Sequence, residues 1–483
     1  MKLLFVASEC APFVKTGGLA DVIGAVPKAL TGLGADVRVL LPAYPALKPV
    51  MKGGRTVLKF DDLFGGPARL VARKAEGLNM LLLDAPHLFD RPGNIYLDQN
   101  GRDWGDNHLR FGGLSLVASE IALGMLKGWV PDVVNLHDWQ ASLAVAYMRQ
   151  SGRACPPTIT TIHNIAFQGM FDASLLGTLG LGREYFTSEG FEYYGKINFL
   201  KAGIALSDKI STVSPTYARE LIQPEFGMGM EGLLKARQGD LVGILNGIDL
   251  DVWNPETDPN PPQKFTIRSL KKKAVNKAQV EARFGLKPAP DAPLFCVISR
   301  LTQQKGLDLL LECLPGLVGR GARLALVGSG DANLEAGYLE AVRKYPGQVG
   351  VVIGYDEALS HQMQAGSDAI LIPSRFEPCG LTQLYGLRYG TIPVVARTGG
   401  LADTVIDANE AAMTVGCATG VQFAPINAAT LDQAIGRTCD LYHDKAAWTP
   451  MIRRAMRHPV GWEVSAKAYL ALYQSLLPGN KQE

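Results

Sequence analysis

Short runs of apolar and β-branched residues recur along the chain, and each is followed by a glycine or polar loop and then by a helical pattern. This alternation predicts parallel sheets with helices packed against them. A first series of predicted strands covers residues 3–7, 37–41, 79–83, 133–136, 158–162, 209–213 and 242–245. A second series covers residues 294–298, 323–327, 349–353, 369–372, 392–396 and 421–423. Because the series of strands begins again in the second half of the chain, we predict two sheets of the same kind.

A proline-rich polar segment separates the two series of strands. Residues 253–262 read WNPETDPNPP, a sequence that can continue neither a helix nor a strand. We therefore predict one domain at 1–250, a linker at 251–265 and a second domain at 266–456. Residues 457–483 predict a final helix, and the pattern leaves open whether it lies across the second sheet or packs back on the first domain.

Composition excludes several classes of protein. The 483 residues include 48 Lys and Arg against 46 Asp and Glu, a net charge of +2, and 47% of them are hydrophobic. A protein held mainly by nucleic-acid phosphates would carry a basic excess, and a disordered chain would have fewer apolar residues. The 7 cysteines are scattered without a Cys-x-x-Cys pair, and no apolar run is as long as a membrane helix. We therefore expect a cytoplasmic protein with no nucleic-acid or membrane partner.

One seven-residue pattern occurs once in each half of the chain. Residues 15–21 read KTGGLAD and residues 397–403 read RTGGLAD, and each copy follows a strand and opens a helix. Paired glycines let a backbone approach an anion closely, and a helix N-terminus supplies N–H groups that bind it. Lys15, Gly17 and Gly18 are therefore candidates to bind a phosphate or a sugar. The structural alternative is a tight turn whose lysine faces water.

Polar side chains also stand at the ends of two predicted strands. Asp138 follows the strand at 133–136, and His163 follows the strand at 158–162. In an open parallel sheet, ligands bind at the carboxyl ends of the strands. Asp138 and His163 are therefore candidates to contact the hydroxyls of a bound sugar. For either residue alone, a structural hydrogen bond is an equally good explanation.

Two loops of the second series carry charged residues. Arg300 and Lys305 lie in the loop after the strand at 294–298, where two cations can hold a diphosphate and the charge that grows as it leaves. A surface-exposed pair is the alternative. Glu377 follows the strand at 369–372, where a carboxylate can bind sugar hydroxyls.

The residues after Glu377 complete this second candidate site. Gly380, Leu381 and Thr382 precede a predicted helix, so their backbone N–H groups could bind a phosphate. We expect Cys379 to be a packed thiol, because a nucleophilic cysteine needs a depressed pKa that nothing in the sequence indicates.

Two further motifs are rejected as functional sites. Residues 227–232 match G-x-G-x-x-G, but they do not follow a strand, so they are not a dinucleotide-binding fingerprint. Asp249 and Asp251 have the D-x-D form that can hold a divalent cation, but an acidic pair that caps a turn explains them better. We predict no metal site.

The motifs at 15–21, 300–305, 377–381 and 397–403 together resemble those of bacterial glycogen synthases and plant starch synthases. The resemblance covers nearly the whole chain, and the motifs lie in the family's order. It implies a GT-B fold, in which two Rossmann-like α/β domains with parallel sheets face each other across a deep cleft. The implied reaction transfers glucose from ADP-glucose to the 4-hydroxyl at the non-reducing end of an α-1,4-glucan, with retention of the α configuration.

The resemblance also implies ligands and residue roles. Implied partners are ADP-glucose, ADP and glycogen or another α-1,4-glucan, with no cofactor and no obligatory metal. The implied catalytic residues are Arg300, Lys305, Glu377, His163 and Asp138. The implied substrate-binding residues are Lys15, Gly17, Gly18, Asp21, Asn164, Asn246, Tyr355, Cys379, Gly380, Leu381 and Thr382. Among these, Tyr355 would stack near the adenine and Asn246 would face the reacting centre.

The sequence leaves four questions open: the ribose contact, the route to retention, the function and the donor nucleotide. Many retaining GT-B enzymes have a second glutamate eight positions after the first, and Tyr385 stands there in this chain, so the ribose contact is unassigned. Retention needs either a covalent glucosyl-enzyme or front-face attack, and we hypothesise front-face attack because no residue is a clear nucleophile. An α-glucan phosphorylase with pyridoxal phosphate and a catalytically silent glucan-binding or regulatory protein are the alternative functions. The choice of ADP over UDP rests on the resemblance alone.

Overall fold

In the computed structural model, which describes residues 1–477, the chain leaves one folding unit after Ile244 and returns to it at Trp462. Unit 1 therefore consists of Met1–Ile244 and the C-terminal segment that begins at Trp462, and unit 2 consists of Leu245–Gly461. Among the helices of the described residues, none combines the length and the hydropathy that crossing a bilayer requires.

Unit 1 is built on a mixed sheet whose centre is parallel. Its strands are β1 (Lys2–Val6), β2 (Asp36–Pro42), β3 (Arg55–Phe60), β4 (Ala68–Ala75), β5 (Leu78–Asp84), β6 (Val133–His137), β7 (Thr158–Ile162), β8 (Met170–Asp172), β9 (Glu192–Tyr193), β10 (Lys196–Asn198), β11 (Lys209–Thr212) and β12 (Leu241–Gly243). The main sheet has the order β12-β11-β7-β6-β1-β2-β5-β4-β3, and β8, β10 and β9 form a separate small antiparallel sheet.

Helices cover this sheet. They are α1 (Gly18–Gly32), α2 (Lys48–Met51), α3 (Pro86–Phe89), α4 (Asn107–Ala122), α5 (Asp138–Ser142), α6 (Ala144–Gln150), α7 (Phe199–Leu206), α8 (Pro215–Leu221) and α9 (Glu231–Ala236). The central strands β6 and β7 are buried along their whole length, and β1 is buried except at Lys2, as expected for parallel strands between two helical layers.

Unit 2 is a six-stranded parallel sheet of order β15-β14-β13-β16-β17-β18. The strands are β13 (Leu294–Ile298), β14 (Arg323–Gly328), β15 (Val349–Ile353), β16 (Ala369–Ile372), β17 (Ile392–Ala396) and β18 (Val421–Phe423). The helices are α10 (Lys273–Arg283), α11 (Leu307–Gly319), α12 (Ala332–Lys344), α13 (Glu357–Gly366), α14 (Thr382–Tyr389), α15 (Gly399–Thr404), α16 (Glu410–Val415), α17 (Ala428–His443) and α18 (Lys445–Arg457).

Each predicted strand is present within two residues of its expected bounds, and five further strands among residues 1–477 were missed. The antiparallel strands β3 and β4 form an edge of the main sheet beside β5. Their residues, such as RTVLKF in β3, are partly exposed and mix basic with apolar side chains, so they lack the buried apolar run that marked the central strands. The short strands β8–β10 offer too few residues for any periodic pattern.

The segment predicted as a linker belongs to the core of unit 2. Trp253 is 8% exposed, and its indole lies between the rings of His361 and Tyr385, with ring centroids 3.7 Å and 3.6 Å away. Asp258 is 2% exposed and accepts hydrogen bonds from His361 Nδ1 and the Tyr389 hydroxyl. The prolines correctly indicated an irregular backbone here. The buried side chains of Trp253 and Asp258, however, pack this backbone against α13 and α14.

The last described helix, α19 (Trp462–Gln474), belongs to unit 1 and packs against α1. The hydroxyl of Tyr473 accepts a hydrogen bond of 2.8 Å from Asn135 Nδ2, and its ring lies edge-on to Phe5. Of the predicted helix at 457–483, residues 478–483 lie outside the described residues. The chain therefore completes unit 1 only after unit 2 has been traversed.

The stacking of Trp253 predicts that its side chain contributes to the stability of unit 2. We expect Trp253→Ala to destabilise unit 2 by about 3–5 kcal/mol, because it leaves a cavity between two rings that cannot close up. The measurement is the thermal unfolding midpoint followed by circular dichroism. Val252→Ala removes a neighbouring side chain that is 47% exposed and should leave the midpoint unchanged. Equal shifts for both variants would contradict the role assigned to Trp253.

Candidate active site

In unit 1, the end of β1 fixes the glycine loop that precedes α1. Glu9 is 3% exposed, and its carboxylate accepts hydrogen bonds from Thr16 N (2.5 Å), Thr16 Oγ1 (2.5 Å) and Gly17 N (3.1 Å). The Tyr96 hydroxyl donates a fourth hydrogen bond, of 2.6 Å, to Glu9 Oε1. A buried carboxylate with four donors holds the loop in one conformation.

This arrangement changes the expected role of the first glycine. The N–H of Gly17 is already donated to Glu9, so it is not available to a phosphate. Helix α1 begins at Gly18, and a Cβ added at Gly17 or Gly18 would meet no atom within 4 Å. Packing within unit 1 therefore does not require glycine at either position, and the loop leaves open space beside the helix N-terminus. Lys15 Nζ lies 2.8 Å from Asp21 Oδ1, so this predicted pair is brought together.

A second group of unit 1 residues lies at the ends of β6 and β7. Asp138 has a left-handed backbone (φ 55°), and its Oδ1 accepts hydrogen bonds from His163 N (2.7 Å) and Asn164 N (3.4 Å). Burial raises the pKa of the Asp138 carboxyl to about 7, against the lowering effect of these two bonds, and the nearby Glu9 carboxylate raises it further. The three predicted residues Asp138, His163 and Asn164 therefore form one cluster, and Glu9 is close enough to affect it.

In unit 2, the loops after β13 and β16 are joined. Lys305 Nζ lies 2.6 Å from Glu377 Oε2, and Ser374 Oγ donates a 2.9 Å hydrogen bond to the same oxygen. Gly306 has φ 67°, and a Cβ there would lie 1.9 Å from the carbonyl oxygen of Pro373, so only glycine permits this close approach. Arg300 is exposed, and its guanidinium forms no hydrogen bond or ion pair with residues 1–477.

The segment after Glu377 lies against the second glycine pair. Gly399 has φ 43°, and a Cβ there would lie 1.9 Å from the carbonyl oxygen of Glu377, while a Cβ at Gly400 would lie 2.3 Å from that of Cys379. The two similar motifs therefore have different structural roles. The glycines at 17–18 leave space open, and those at 399–400 are required for packing around Glu377.

Cys379 is a buried thiol beside the backbone N–H of Asn246. Burial raises the pKa of Cys379 to about 12, so the thiol is protonated at neutral pH and cannot act as a thiolate nucleophile. Asn246 is 8% exposed, and its Oδ1 has no hydrogen-bond partner among the described residues. An unpaired buried amide oxygen is costly, so Asn246 is a good candidate to accept a hydrogen bond from a ligand.

The remaining predicted residues of unit 2 have distinct environments. Within residues 1–477, the backbone N–H groups of Gly380, Leu381 and Thr382 donate to no acceptor, and they stand at the start of α14. Tyr355 is 75% exposed, which leaves its ring accessible to a planar ligand. Tyr385 is 8% exposed and stacked on Trp253, so it packs in the core of unit 2.

Sequence reasoning did not assign Glu9, Tyr96 or Ser374 to the site, and it gave no role to His137 at the end of its predicted strand. It interpreted Asp249 correctly. Glu9 and His137 both stand at strand ends, which was a usable signal, whereas Tyr96 reaches Glu9 from 87 positions along the chain, which no local pattern shows. Asp249 Oδ1 accepts hydrogen bonds from Asp251 N and Val252 N. That carboxylate therefore caps a turn.

Comparison with known proteins identifies the family to which this chain belongs. Residues 2–236 match the family model for the starch synthase catalytic domain, and residues 279–448 match the model for glycosyl transferases group 1. The glycogen synthase of Roseobacter denitrificans is 64% identical over 479 residues, which are 99% of this chain and 100% of that protein. The chain belongs to the glycogen synthase family. A glycogen synthase of Rhodopseudomonas palustris is 55% identical over 99% of both chains.

Solved structures agree with membership of the glycogen synthase family. The catalytic domain of starch synthase IV from Arabidopsis thaliana, bound to ADP and acarbose, has a TM-score of 0.86 and 32% identity, covering 98% of this chain and 99% of that one. Sucrose-phosphate synthase from Thermosynechococcus elongatus, at 17% identity and a TM-score of 0.58 over 98% of both chains, shares the fold. The predicted α/β fold of the GT-B class and the predicted glycosyltransferase activity are confirmed.

The raised pKa of Asp138 predicts a pH effect on stability. Its pKa is about 7 in the folded state and 3.8 as its ordinary value, so the folded chain binds the extra proton between these limits. Stability from this group therefore falls as pH rises from about 4 to 7, by at most about 1.4 kcal/mol per pH unit. Asp138→Asn removes the titrating group but keeps the Oδ1 acceptor.

We therefore expect the free energy of unfolding of Asp138→Asn to increase relative to that of the unchanged chain as pH rises through this range. Urea unfolding at a series of pH values measures the difference. Parallel curves for the two proteins would show that Asp138 does not titrate in this window.

Proposed function

We propose that this chain transfers glucose from ADP-glucose to the 4-hydroxyl at the non-reducing end of an α-1,4-glucan, with retention of the α configuration. The observation that carries the proposal is the loop of unit 2 in which Lys305 contacts Glu377 while the Arg300 guanidinium is not paired within residues 1–477. Family membership and the likeness to a starch synthase structure that contains ADP and acarbose support the choice of donor and acceptor.

Arg300 and Lys305 are proposed to bind the donor's diphosphate. Both follow β13, and Lys305 is held by Glu377 rather than extended into solvent. Backbone N–H groups of Gly380 to Thr382 would add neutral donors to the same phosphates. Placed cations stabilise the charge that develops on the leaving diphosphate more than they stabilise the bound donor, which lowers the barrier.

In unit 1, Asp138, His163 and Asn164 are proposed to bind the glucosyl group, and Lys15 and Gly18 to bind the phosphate and glucose. In unit 2, Glu377 is proposed to bind glucose. Asp138 and His163 are positioned by backbone hydrogen bonds and burial, so little ordering is needed when the sugar binds. Asn246 would accept a hydrogen bond through its unpaired Oδ1. The exposed ring of Tyr355 is proposed to stack on the adenine.

Front-face attack is the proposed route to retention. The bond between glucose C1 and the diphosphate oxygen breaks, the acceptor's O4 bonds to C1 on the same face, and the O4 proton passes to the leaving phosphate oxygen. The carboxylates of Glu377 and Asp138 each already have one oxygen engaged, which disfavours their use as nucleophiles. Glu377 is held by Lys305 and Ser374, and Asp138 Oδ1 is occupied by two backbone N–H groups.

Donor, metal requirement and stereochemistry can be tested together. The purified chain is incubated with glycogen and either ADP-glucose or UDP-glucose, with and without a chelator, and nucleotide release and the product anomer are measured by NMR. We expect release of ADP, an α-linked product and no effect of the chelator. No transfer with either donor would instead favour a silent glucan-binding protein, and a bound aldimine absorbance would favour a phosphorylase.

Lys305 carries a separate prediction for the chemical step. We expect Lys305→Ala to lower kcat about 100- to 1,000-fold with a smaller change in KM for the donor, because it removes transition-state stabilisation. Lys272→Ala removes an exposed lysine of unit 2 and should leave both constants unchanged. Near-normal turnover with a raised KM would assign Lys305 to donor binding alone.

A further inference from the structure

We infer that His137 is a positioning residue that donates its Nδ1–H to Nε2 of His163 and so holds His163 in the tautomer with its proton on Nδ1. The two side chains stand at the ends of neighbouring strands, where β6 pairs with β7 and His137 lies opposite Thr161. His137 Nδ1 and His163 Nε2 are 2.9 Å apart, with ring planes inclined by 34°. That distance fits one hydrogen bond, in which one nitrogen donates and the other accepts.

Both rings are neutral in the folded chain. His137 is 0% exposed and His163 is 9% exposed. Burial lowers the pKa of His163 to about 3, and burial together with the neighbouring His163 lowers the pKa of His137 well below its ordinary value. Each imidazole therefore carries one proton, and only two arrangements of the pair are possible.

The other nitrogen of His137 distinguishes the two arrangements. His137 Nε2 is buried and has no hydrogen-bond partner among the described residues, and the ring of Phe5 lies 5.2 Å from the His137 ring. If His163 donated to His137 Nδ1, the proton of His137 would sit on Nε2 as a buried donor with no acceptor. If His137 donates from Nδ1, its own Nε2 carries no proton and is only a buried acceptor without a donor. Buried N–H groups without partners are rarer than under-used acceptors, so the second arrangement is the one the geometry supports.

The hydrogen bond from His137 also determines the protonation of the second ring nitrogen of His163. Its Nε2 then accepts from His137, so its Nδ1 must carry a proton, and Nδ1 forms no hydrogen bond within residues 1–477. His163 thus offers a fixed N–H donor, which is suited to an oxygen lone pair of the sugar donor. This consequence rests on the proposed function, whereas the tautomer itself does not.

The tautomer can be read directly by NMR. The full chain is labelled with 15N-histidine, and long-range 15N–1H correlations show which ring nitrogens carry protons. The 7 histidines are few enough for assignment by comparison with His163→Asn and His137→Asn. We expect His163 to be protonated on Nδ1 and His137 on Nδ1. A proton on Nε2 of His163 would overturn the inference.

Two substitutions of His137 give opposite expected results in the transfer reaction. Asn can place its amide N–H near the position of Nδ1, so His137→Asn should keep kcat within about threefold and keep the His163 proton on Nδ1. His137→Leu cannot donate and should lower kcat about tenfold or more, with a smaller change in the donor's KM. Equal losses in the two variants would contradict the inference.

A packing control and a double variant separate positioning from stability. Phe5→Leu alters the packing beside the His137 ring but leaves the hydrogen bond, so it should lower the unfolding midpoint without changing the tautomer or kcat. In a His163→Ala chain, His137→Leu should cause no further loss of kcat. A further loss there would show that His137 acts by another route. If no donor supports transfer while the NMR result holds, the proposed function fails and the tautomer assignment stands.

Discussion

The order in which parallel strands pair determines where the functional groups of each unit can stand. In unit 1 the chain builds β2 on one side of β1 and later places β6 on the other side. In unit 2 it builds β14 beside β13 and later places β16 on the other side. At such a switch point the loops leave in opposite directions and open a space at the carboxyl ends of the strands. Glu9 and Asp138 follow β1 and β6, and the Lys305 and Glu377 loops follow β13 and β16.

Burial then determines what these side chains can do chemically. The same low polarity keeps the Cys379 thiol protonated, the His137–His163 pair neutral and the Asp138 carboxyl partly protonated near neutral pH. Glu377 is also buried, and its carboxylate contacts Lys305 Nζ and accepts a hydrogen bond from Ser374 Oγ. The polar groups of the candidate site therefore act mainly as fixed hydrogen-bond partners, whereas the Arg300 guanidinium is exposed and has no partner within residues 1–477.

Much of the fold could be predicted because the central parallel strands are short runs rich in apolar and β-branched residues, and these runs were visible in the sequence. The edge strands β3 and β4 could not be recognised, because a half-exposed antiparallel edge has no such run. The position of 251–265 was missed for a different reason. Its prolines describe the local backbone, whereas its place in unit 2 depends on Trp253 and Asp258 meeting residues more than 100 positions away.

The repeated TGGLAD motif shows where sequence similarity stops being informative about chemistry. In the first copy the helix begins at the second glycine, Thr16 and Gly17 donate to Glu9, and the space above both glycines is open. In the second copy the helix begins at the first glycine, and the backbone of Glu377 to Cys379 lies where side chains would be. The same residues thus leave open space in one unit and pack against the Glu377 loop in the other. The two copies differ in the loop that packs against their glycines. Their roles therefore follow from tertiary packing and not from the motif itself.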